Sequence, residues 1–472
     1  MKKNVFHTRG VLALLLGLAV TACTTPPPYQ KPAMDVPGTF KESALWKTAR
    51  PDAATVPDDW WQLFNDPILN DLQQQLVVGN ENLKGSVAQV QIARAALASS
   101  RSGTRPAVGA TAGISQGVNT GGATPTTSNS IGASASWELD LWGRLSGAVS
   151  SAEARFQASS ADLAAARLSM QALLTQSYCS LRSTEAQSAL LERSVTAYQR
   201  SLVLTQNRYS GGVASAADVA QATTQLRSTQ AQLVESNSAR ALLEHAIATL
   251  MGKPVAAFSL KSTATLPQAP IAPAQLPASL LERRLDIAAA ERRVAAANAQ
   301  IGVAQSAWFP AITLSANAGF RGADLLELIS APNLFWSLGP SLAMAIFDGG
   351  ARRAAEDSAQ ATSAQAAASY RQTVLTALQE VEDNLVISAS LEEEIVLQSD
   401  ALKSAERNLE ITNNQYTAGT VSYLNVVTAQ ATALAAERTL LDVRNRRLAA
   451  TAVLLKNIAG RWDSPAPPVA KN

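Results

Sequence analysis

The chain has 472 residues, and 47% of them are hydrophobic, which excludes an intrinsically disordered polymer. Its 39 lysine and arginine residues are balanced by 37 aspartate and glutamate residues, so the charge gives no indication of a nucleic-acid partner. The two histidines and two cysteines are too few for a metal-ligand cluster or a disulfide framework. We find no nucleophile–base pair and no phosphate-binding loop, so we expect neither an enzyme nor a bound cofactor.

The N-terminus has the layout of a secretory signal over residues 1–22, in which basic residues precede an apolar run at 11–20. The run ends in Val-Thr-Ala-Cys, which resembles the lipobox of bacterial lipoproteins. That resemblance implies cleavage before Cys23, whose covalent lipid anchors the mature chain to a membrane. Thr24 follows in place of the aspartate that holds enteric lipoproteins at the inner membrane, which favours the outer membrane. A plain signal peptide with an incidental cysteine is the alternative.

Residues 23–66 are rich in proline, which predicts an extended, lipid-anchored tether. A second proline cluster predicts a linker at residues 267–278, and residues 465–472 are a predicted tail. No segment after the signal has the 18 or more consecutive apolar residues of a membrane-spanning helix. We therefore expect any passage through a membrane to use strands.

Between the proline-rich regions, the chain contains one motif twice. Tyr209 and Tyr416 are 207 residues apart, and a glycine follows each at the same offset. Each copy lies within a long proline-free stretch, so the motif predicts the tip of a helical hairpin, at residues 207–218 and again at 414–425. The shared residues are Asn207, Tyr209, Gly212 and Ser215 in the first copy and Asn414, Tyr416, Gly419 and Ser422 in the second.

Apolar residues on both sides of each tip recur every seven residues, which is typical of coiled-coil packing. The same column is present in both halves, at positions related by 207 residues. A continuous helix over residues 151–206 has a length of about 80 Å. The sequence therefore predicts two repeats, residues 67–266 and 279–464, each with a long hairpin.

Ahead of each long hairpin, the apolar period changes from seven to two. Apolar residues alternate with small polar ones in four segments, which is the pattern of membrane-barrel strands, although soluble hairpins with one buried face are the alternative. Four strands do not close a barrel, and hydrocarbon does not tolerate open sheet edges. Two chains give eight strands around a plugged interior and three give twelve around a wider pore, which favours a trimer. The predicted strands are residues 107–118, 131–142, 311–321 and 335–347.

The lipobox, the strand pairs and the duplicated hairpins together resemble the outer membrane factor (TolC/OprM-like) family, in particular its multidrug efflux lipoprotein branch. Residues 284–291, 301–304 and 309–312 are similar to that branch's second-half signature, and the repeated tip is similar to its tip motif. Leu285 stands where the branch usually has proline, a minor departure. The resemblance covers nearly all of the chain after the signal.

The resemblance implies a mainly α-helical fold with a membrane β-barrel, in which each chain has duplicated coiled-coil hairpins and four strands. A homotrimer then shares one twelve-stranded barrel, continued by a periplasmic α-barrel. The implied function is a passive exit duct in the outer membrane for small amphipathic compounds. The implied partners are outer-membrane lipid, a periplasmic adaptor (membrane fusion) protein and an inner-membrane pump of the resistance-nodulation-division class. A duct for polypeptides or metal ions, and a structural periplasmic coiled-coil lipoprotein, are the alternatives.

The resemblance also implies a gate, because the family's hairpin tips close the tunnel. Asp218 and Tyr416 match two positions that hold the tips together, by a hydrogen bond from phenol to carboxylate. The alternative makes Asp218 a charge at a helix N-terminus and Tyr416 a seam residue. Val421 stands where some relatives have a basic partner. Asn425 and Thr428 stand at the positions where acidic residues often line the closed aperture in the family. The predicted gate residues are Asn207, Tyr209, Gly212, Asp218, Asn414, Tyr416, Gly419, Asn425 and Thr428.

Overall fold

The computed structural model describes most of the chain after the signal. The predicted signal at 1–22, Cys23 and the tail at 465–472 lie outside the described residues, as do positions 271–278 of the linker. The described residues are 28–34, 41, 59–118, 125–263, 265–270 and 284–460.

Both halves of the chain have the order helix, two strands, long helix, shorter helix, and the first half begins with one additional helix. The first half contains α1 (Pro67–Gly79), α2 (Glu81–Ser102), β1 (Ala107–Gly117), β2 (Thr126–Glu138), α3 (Arg144–Ser210) and α4 (Ala216–Leu250). The second half contains α5 (Leu285–Ser306), β3 (Ala311–Gly322), β4 (Leu334–Ala343), α6 (Ala351–Thr417) and α7 (Tyr423–Ile458). The helices α3 and α6 each have 67 residues, so the duplication extends to whole elements. In the part of the chain that the structure describes, no helix is apolar over a length that would cross a bilayer.

The chain divides into two compact units. The first unit contains the four strands and comprises Met1–Met34, Ala88–Ser160 and Ala289–Gln372. The second unit contains both hairpin tips and comprises Asp35–Val87, Ala161–Ala288 and Thr373–Asn472.

The strands of the first unit form one antiparallel sheet in the order β1-β2-β3-β4. The register places the apolar residues of all four strands in common rows: Ala110 pairs with Ala133, Ala133 with Ala318, and Ala318 with Trp336. One face of the sheet is therefore apolar, and the other carries mainly glycine, serine and threonine. Within one chain, β1 and β4 are the edges, and each pairs with a single neighbour.

The strands predicted at 107–118 and 311–321 differ from β1 and β3 by one residue at their C-terminal ends. The second predicted strand is displaced: the sequence predicts 131–142, whereas β2 is Thr126–Glu138. Its polar start pairs with the end of β1, so a segment expected to be a loop continues the hairpin. Beyond Glu138 the chain turns into α3, because the carboxylate of Asp140 accepts hydrogen bonds from two backbone N–H groups of that helix, at 2.9 and 2.7 Å.

The last predicted strand ends early. The sequence predicts 335–347, whereas β4 is Leu334–Ala343. Ala343 pairs with Ala311, the first residue of β3, so the residues beyond it have no strand beside them in the same chain. The chain then turns at Asp348, whose carboxylate accepts a backbone N–H just ahead of α6 at 3.0 Å.

The second unit has a core around Trp60, which is fully buried at the start of a short 3-10 helix. Leucines of α1 pack there against α3, α4 and α7. The Asp66 carboxylate caps α1 by accepting hydrogen bonds from the backbone N–H groups of Ile68 and Leu69, and it also accepts one from Tyr178 (2.6 Å). The neighbouring Cys179 is inaccessible to solvent, and burial raises the pKa of its thiol to about 12.

A buried ionic network lies in the same unit. Glu185 accepts hydrogen bonds from Arg182 of α3 (2.6 Å) and Arg240 of α4 (3.0 Å). The backbone N–H of Thr263 donates to the same carboxylate (3.2 Å), and Arg240 donates to the carbonyl of Leu260 (2.7 Å). The network therefore ties the segment after α4 back onto the hairpin formed by α3 and α4.

Replacing Glu185 with alanine should lower the free energy of unfolding by about 3–5 kcal/mol, because two guanidinium groups lose their buried carboxylate. Glu437→Ala is the matched control, since Glu437 pairs with the exposed Arg193 (2.9 Å), a contact worth about 0–1 kcal/mol. Chemical denaturation in detergent, followed by circular dichroism, measures both variants. Equal losses of stability would show that the network does not hold this unit together.

Candidate functional site at the hairpin tips

The first tip is a tight turn followed by a capped helix. Gly212 has a φ of 74°, and a backbone N–H just after it donates to the carbonyl of Arg208 at 2.8 Å. The N–H of Asp218 donates to Ser215 Oγ (3.2 Å), and the N–H of Ser215 donates to the Asp218 carboxylate (2.9 Å). This reciprocal capping box satisfies N–H groups at the start of α4, and an N-cap of this kind contributes about 1 kcal/mol.

The second tip has the same turn without the same cap. Gly419 has a φ of 81°, and the next N–H donates to the carbonyl of Gln415 (3.0 Å). Ser422 precedes α7, but its side chain makes no capping hydrogen bond. Asn425 stands at the position equivalent to Asp218. The two tips therefore share a backbone conformation and differ in the side chains that stabilise it.

Tyrosines fill the seam between the two hairpins. Tyr416 and Tyr423 are 6% and 1% exposed, and their rings meet edge to face with centroids 5.4 Å apart. Their hydroxyl groups lie 3.4 Å from Thr205 Oγ1 and 3.0 Å from Ser201 Oγ of α3. Tyr198 donates to a backbone carbonyl of α7 at 3.2 Å. Burial raises the pKa of Tyr198 and of Tyr423, so both phenols stay protonated and keep these contacts at neutral pH.

Arg208 joins the hairpins beside Tyr416. Its Nη1 donates to the backbone carbonyl of Tyr416 (2.8 Å), and its guanidinium carbon lies 4.6 Å from the centroid of the Tyr416 ring. Tyr416 belongs to the last turn of α6, where carbonyl groups lack partners within the helix and the helix dipole favours a cation. Arg208 of the first hairpin therefore caps the end of a helix in the second.

The sequence does not mark Arg208 as a functional residue. Arg208 lies inside the repeated motif, but the equivalent residue of the second copy is Gln415. A comparison of the two copies selects the positions that they share and therefore omits Arg208. The sequence signal that could have identified Arg208 is a charged residue at a position where the copies differ. Arg208 also supplies a basic group at the tips of a chain in which Val421 occupies the position expected to be basic.

The predicted hydrogen bond from Tyr416 to Asp218 is not formed in this structure. The Asp218 carboxylate is already engaged by the N–H and hydroxyl of Ser215. The hydrogen-bonding contacts of Tyr416 are with Thr205 and Arg208. Within one chain, Asp218 stabilises a helix N-terminus and Tyr416 is a seam residue. A hydrogen bond between these two residues of neighbouring chains stays a prediction.

The other predicted gate residues are exposed at the tips, and their part in a gate stays a prediction. Among the described residues, no group of three or more histidine, cysteine, aspartate and glutamate side chains is arranged to hold a metal ion. The exposed residues are Asn207, Tyr209, Gly212, Asn414, Gly419, Asn425 and Thr428.

Comparison with known proteins shows the class of protein to which the chain belongs. The sequence profile of a family described as outer membrane efflux protein matches residues 72–253 and 276–460. The toluene efflux pump outer membrane protein TtgC of Pseudomonas putida is 31% identical over 464 residues, which cover 95% of this chain and 96% of TtgC. The cation efflux system protein CusC of Escherichia coli K12 is 29% identical over 450 residues, with 93% and 96% covered. The solved outer-membrane channel OprN has a TM-score of 0.86 and 29% identity, covering 93% of this chain and all of that structure.

The fold and these relatives define an outer-membrane channel of an efflux system. The chain belongs to the outer membrane efflux protein family, which confirms the fold class, the function as an efflux channel and the outer-membrane location predicted from the sequence. The members of this family are channel proteins and not enzymes.

Replacing Arg208 with alanine should speed amide hydrogen exchange in residues 413–420 about tenfold, because the last turn of α6 loses a charge-assisted hydrogen bond. Arg208→Lys should give an intermediate rate, since lysine keeps the charge without the planar guanidinium. Arg227→Ala is the control, because the described hydrogen bond of Arg227 is to Gln230 of its own helix (3.0 Å). Mass spectrometry measures the exchange, and unchanged rates in Arg208→Ala would contradict the capping role.

Proposed function

We propose that three copies of this chain form the exit duct of a tripartite efflux system. Each copy contributes four strands to a twelve-stranded barrel and its long hairpins to a periplasmic α-barrel. The open four-stranded sheet with one apolar face carries this proposal. Unpaired peptide groups are costly in hydrocarbon, so β1 and β4 require strands of neighbouring copies.

The dimensions of the apolar face suit an outer membrane. The four strands have 11, 13, 12 and 10 residues. A transmembrane strand tilted by about 45° needs about 9–11 residues to cross the hydrocarbon core. The opposite face consists mainly of small polar residues and suits a water-filled interior. Eight strands leave little interior space and twelve leave more, so the proposal favours three copies over two.

We infer that the hairpin tips form the gate of this duct. The tyrosine seam and Arg208 support this inference, because they hold the first hairpin of a chain against its second at the level of the tips. Opening the aperture requires either that this seam breaks or that each pair of hairpins moves as one piece. The first route separates Arg208 from Tyr416, and the second preserves their contact.

The duct is passive, and we propose that it works with an inner-membrane pump of the resistance-nodulation-division class through a periplasmic adaptor. Val213 and Leu424 are 69% and 53% exposed at the two tips and offer apolar contacts to such an adaptor. TtgC is described as part of a toluene efflux pump, which supports small organic compounds as cargo. CusC is described as part of a cation efflux system, which supports metal ions as the alternative. We further propose that Cys23 carries the lipid anchor.

A charge on the apolar face should prevent assembly, whereas a charge on the opposite face should not. Leu338→Arg places a guanidinium on the proposed lipid side, at a cost of about 2–4 kcal/mol per chain near the bilayer midplane. Ser337→Arg, one residue away on the proposed lumen side, is the matched control. We expect Leu338→Arg to reduce the trimer recovered from outer membranes, and Ser337→Arg to keep the trimer and shift its ion selectivity in planar bilayers. The opposite pattern would contradict this orientation of the sheet.

The cargo can be tested in cells that lack their own outer-membrane channels. Supplied with a pump and adaptor for organic compounds, the chain should lower the susceptibility of such cells to these compounds several-fold. Supplied with a pump and adaptor for a metal cation, it should leave cation tolerance unchanged. Minimum inhibitory concentrations measure both, with an empty vector as the control. Rescue by the cation pump alone would favour the alternative cargo.

A further inference from the structure

The loop between β3 and β4, residues 323–333, folds over the apolar side of the sheet. Asn129 of β2 belongs to that side, because it precedes Ile131 by two residues in the alternating pattern. Its side-chain amide donates to the carbonyl of Ala323 at 2.9 Å. Only 5% of Asn129 is exposed, so the loop covers a polar residue that stands at an apolar position.

The other end of the loop lies on the same side. Side chains alternate along β3, so a β-carbon on Gly322 would point to the side on which Phe320 lies. That β-carbon would be 2.8 Å from Asn333 Nδ2, so the Asn333 amide occupies this space. The same amide donates to the carbonyl of Glu327 (2.9 Å) and to Ser330 Oγ (3.2 Å). Hydrogen bonds therefore fold the loop on itself, and both of its ends are held on the apolar side.

The outer surface of this loop is amphipathic. Leu325, Leu326 and Ile329 are 62%, 95% and 74% exposed, and together they form an apolar patch on five consecutive positions. Asp324 and Glu327 are exposed beside them. An ordered surface that combines large apolar side chains with carboxylates is typical of the boundary between hydrocarbon and water.

The loop also lies at the level where the apolar side of the sheet ends. On this side, Ile114 of β1 pairs with Asn129 of β2. The next pair of the same side toward the β1–β2 turn is Gln116 with Thr127, and both residues are polar. The apolar band of these strands therefore stops beside the loop, and the strands continue past it with polar residues.

A neighbouring copy does not cover the patch when the barrel closes. Copies join at β1 and β4, the edges of the sheet, and edge pairing extends a sheet in its own plane. The apolar side remains uncovered by protein along its whole width. The medium that covers this side therefore also covers the loop folded upon it, and for a membrane barrel that medium is lipid.

We propose that Leu325, Leu326 and Ile329 form a lipid-contact site, by which the loop inserts into the outer leaflet at the boundary between headgroups and acyl chains. The proposal rests on the proposed channel, in which the apolar side of the sheet faces lipid. Because α5 leads into β3 and α6 follows β4, the loop lies at the end of the strands away from the periplasmic helices. The inserted side chains oppose sliding of the barrel along the membrane normal.

The lipid contact is tested on the full-length trimer in phosphatidylcholine vesicles, with a nitroxide label on Leu326→Cys. Oxygen concentrates in lipid and a nickel chelate stays in water, so the ratio of their collision rates with the label reports its surroundings. This ratio should exceed that of a label on Ser337→Cys several-fold and approach that of a label on Leu338→Cys. The parent chain, treated in the same way, gives the background. A ratio equal to that of Ser337→Cys would overturn the proposal.

The position of the loop on the sheet is tested with the same label. Asn129→Ala removes the hydrogen bond to the loop and should shorten the rotational correlation time of the label on residue 326 several-fold. Asn317→Ala is the matched control and should leave it unchanged, since Asn317 donates to Ser337 Oγ (3.3 Å) on the opposite side of the sheet. An unchanged spectrum in Asn129→Ala would show that the loop is not held there.

Two further outcomes separate this proposal from its rivals. Spin–spin broadening at Leu326→Cys that disappears on dilution with unlabelled chains would show that another copy covers the loop, which would overturn the lipid contact. Water contact at residue 326 with lipid contact at residue 338 would overturn the loop site and leave the channel standing. Water contact at both residues would contradict the lipid orientation of the sheet and, with it, the proposed channel.

Discussion

A peptide group that enters hydrocarbon without a hydrogen-bond partner costs several kcal/mol, and the sheet of this chain is organised around that penalty. Within the chain, β2 and β3 are paired on both sides, so the penalty is confined to β1 and β4. Gly319 allows a close approach at the central pairing, because a β-carbon there would lie 2.3 Å from the carbonyl oxygen of Ile131. Pairing the β4 edge of one copy with the β1 edge of the next repeats a single contact around a closed ring.

The two hairpins have the same turn and nearly the same length, yet their side chains differ where they meet. Tyr416 is buried in the seam, whereas its equivalent Tyr209 is 51% exposed. Arg208 crosses to the other hairpin, whereas its equivalent is an uncharged glutamine. Two identical hairpins would present the same surface to each other and to a neighbouring chain. The contact between the two hairpins of a chain therefore depends on different residues from each copy.

The fold was largely predictable from the sequence, because period seven, period two and proline-free length are properties of whole segments. Strand ends were less predictable, since Asp140 and Asp348 end the alternation by capping the helices that follow. The position of the site at the hairpin tips was predictable from the sequence, whereas the side-chain contacts within it were less predictable. The tip motif located both turns, but it did not reveal that Asp218 bonds Ser215 within the chain, because the second copy has Asn425 in place of the aspartate. The sequence did not predict the role of Arg208, because this arginine is replaced by a glutamine in the second copy and its contact with Tyr416 is seen only in the structure.

The buried Cys179 has a practical consequence for experiments on this channel. A thiol reacts with maleimides as its thiolate, and a pKa near 12 leaves only about one molecule in ten thousand ionised at pH 8. The side chain is also shielded from reagents by the packing of α1 and α3. Fluorophores and cross-linkers can therefore be attached to cysteines introduced at the tips without first removing Cys179, which keeps the native packing intact during the measurement.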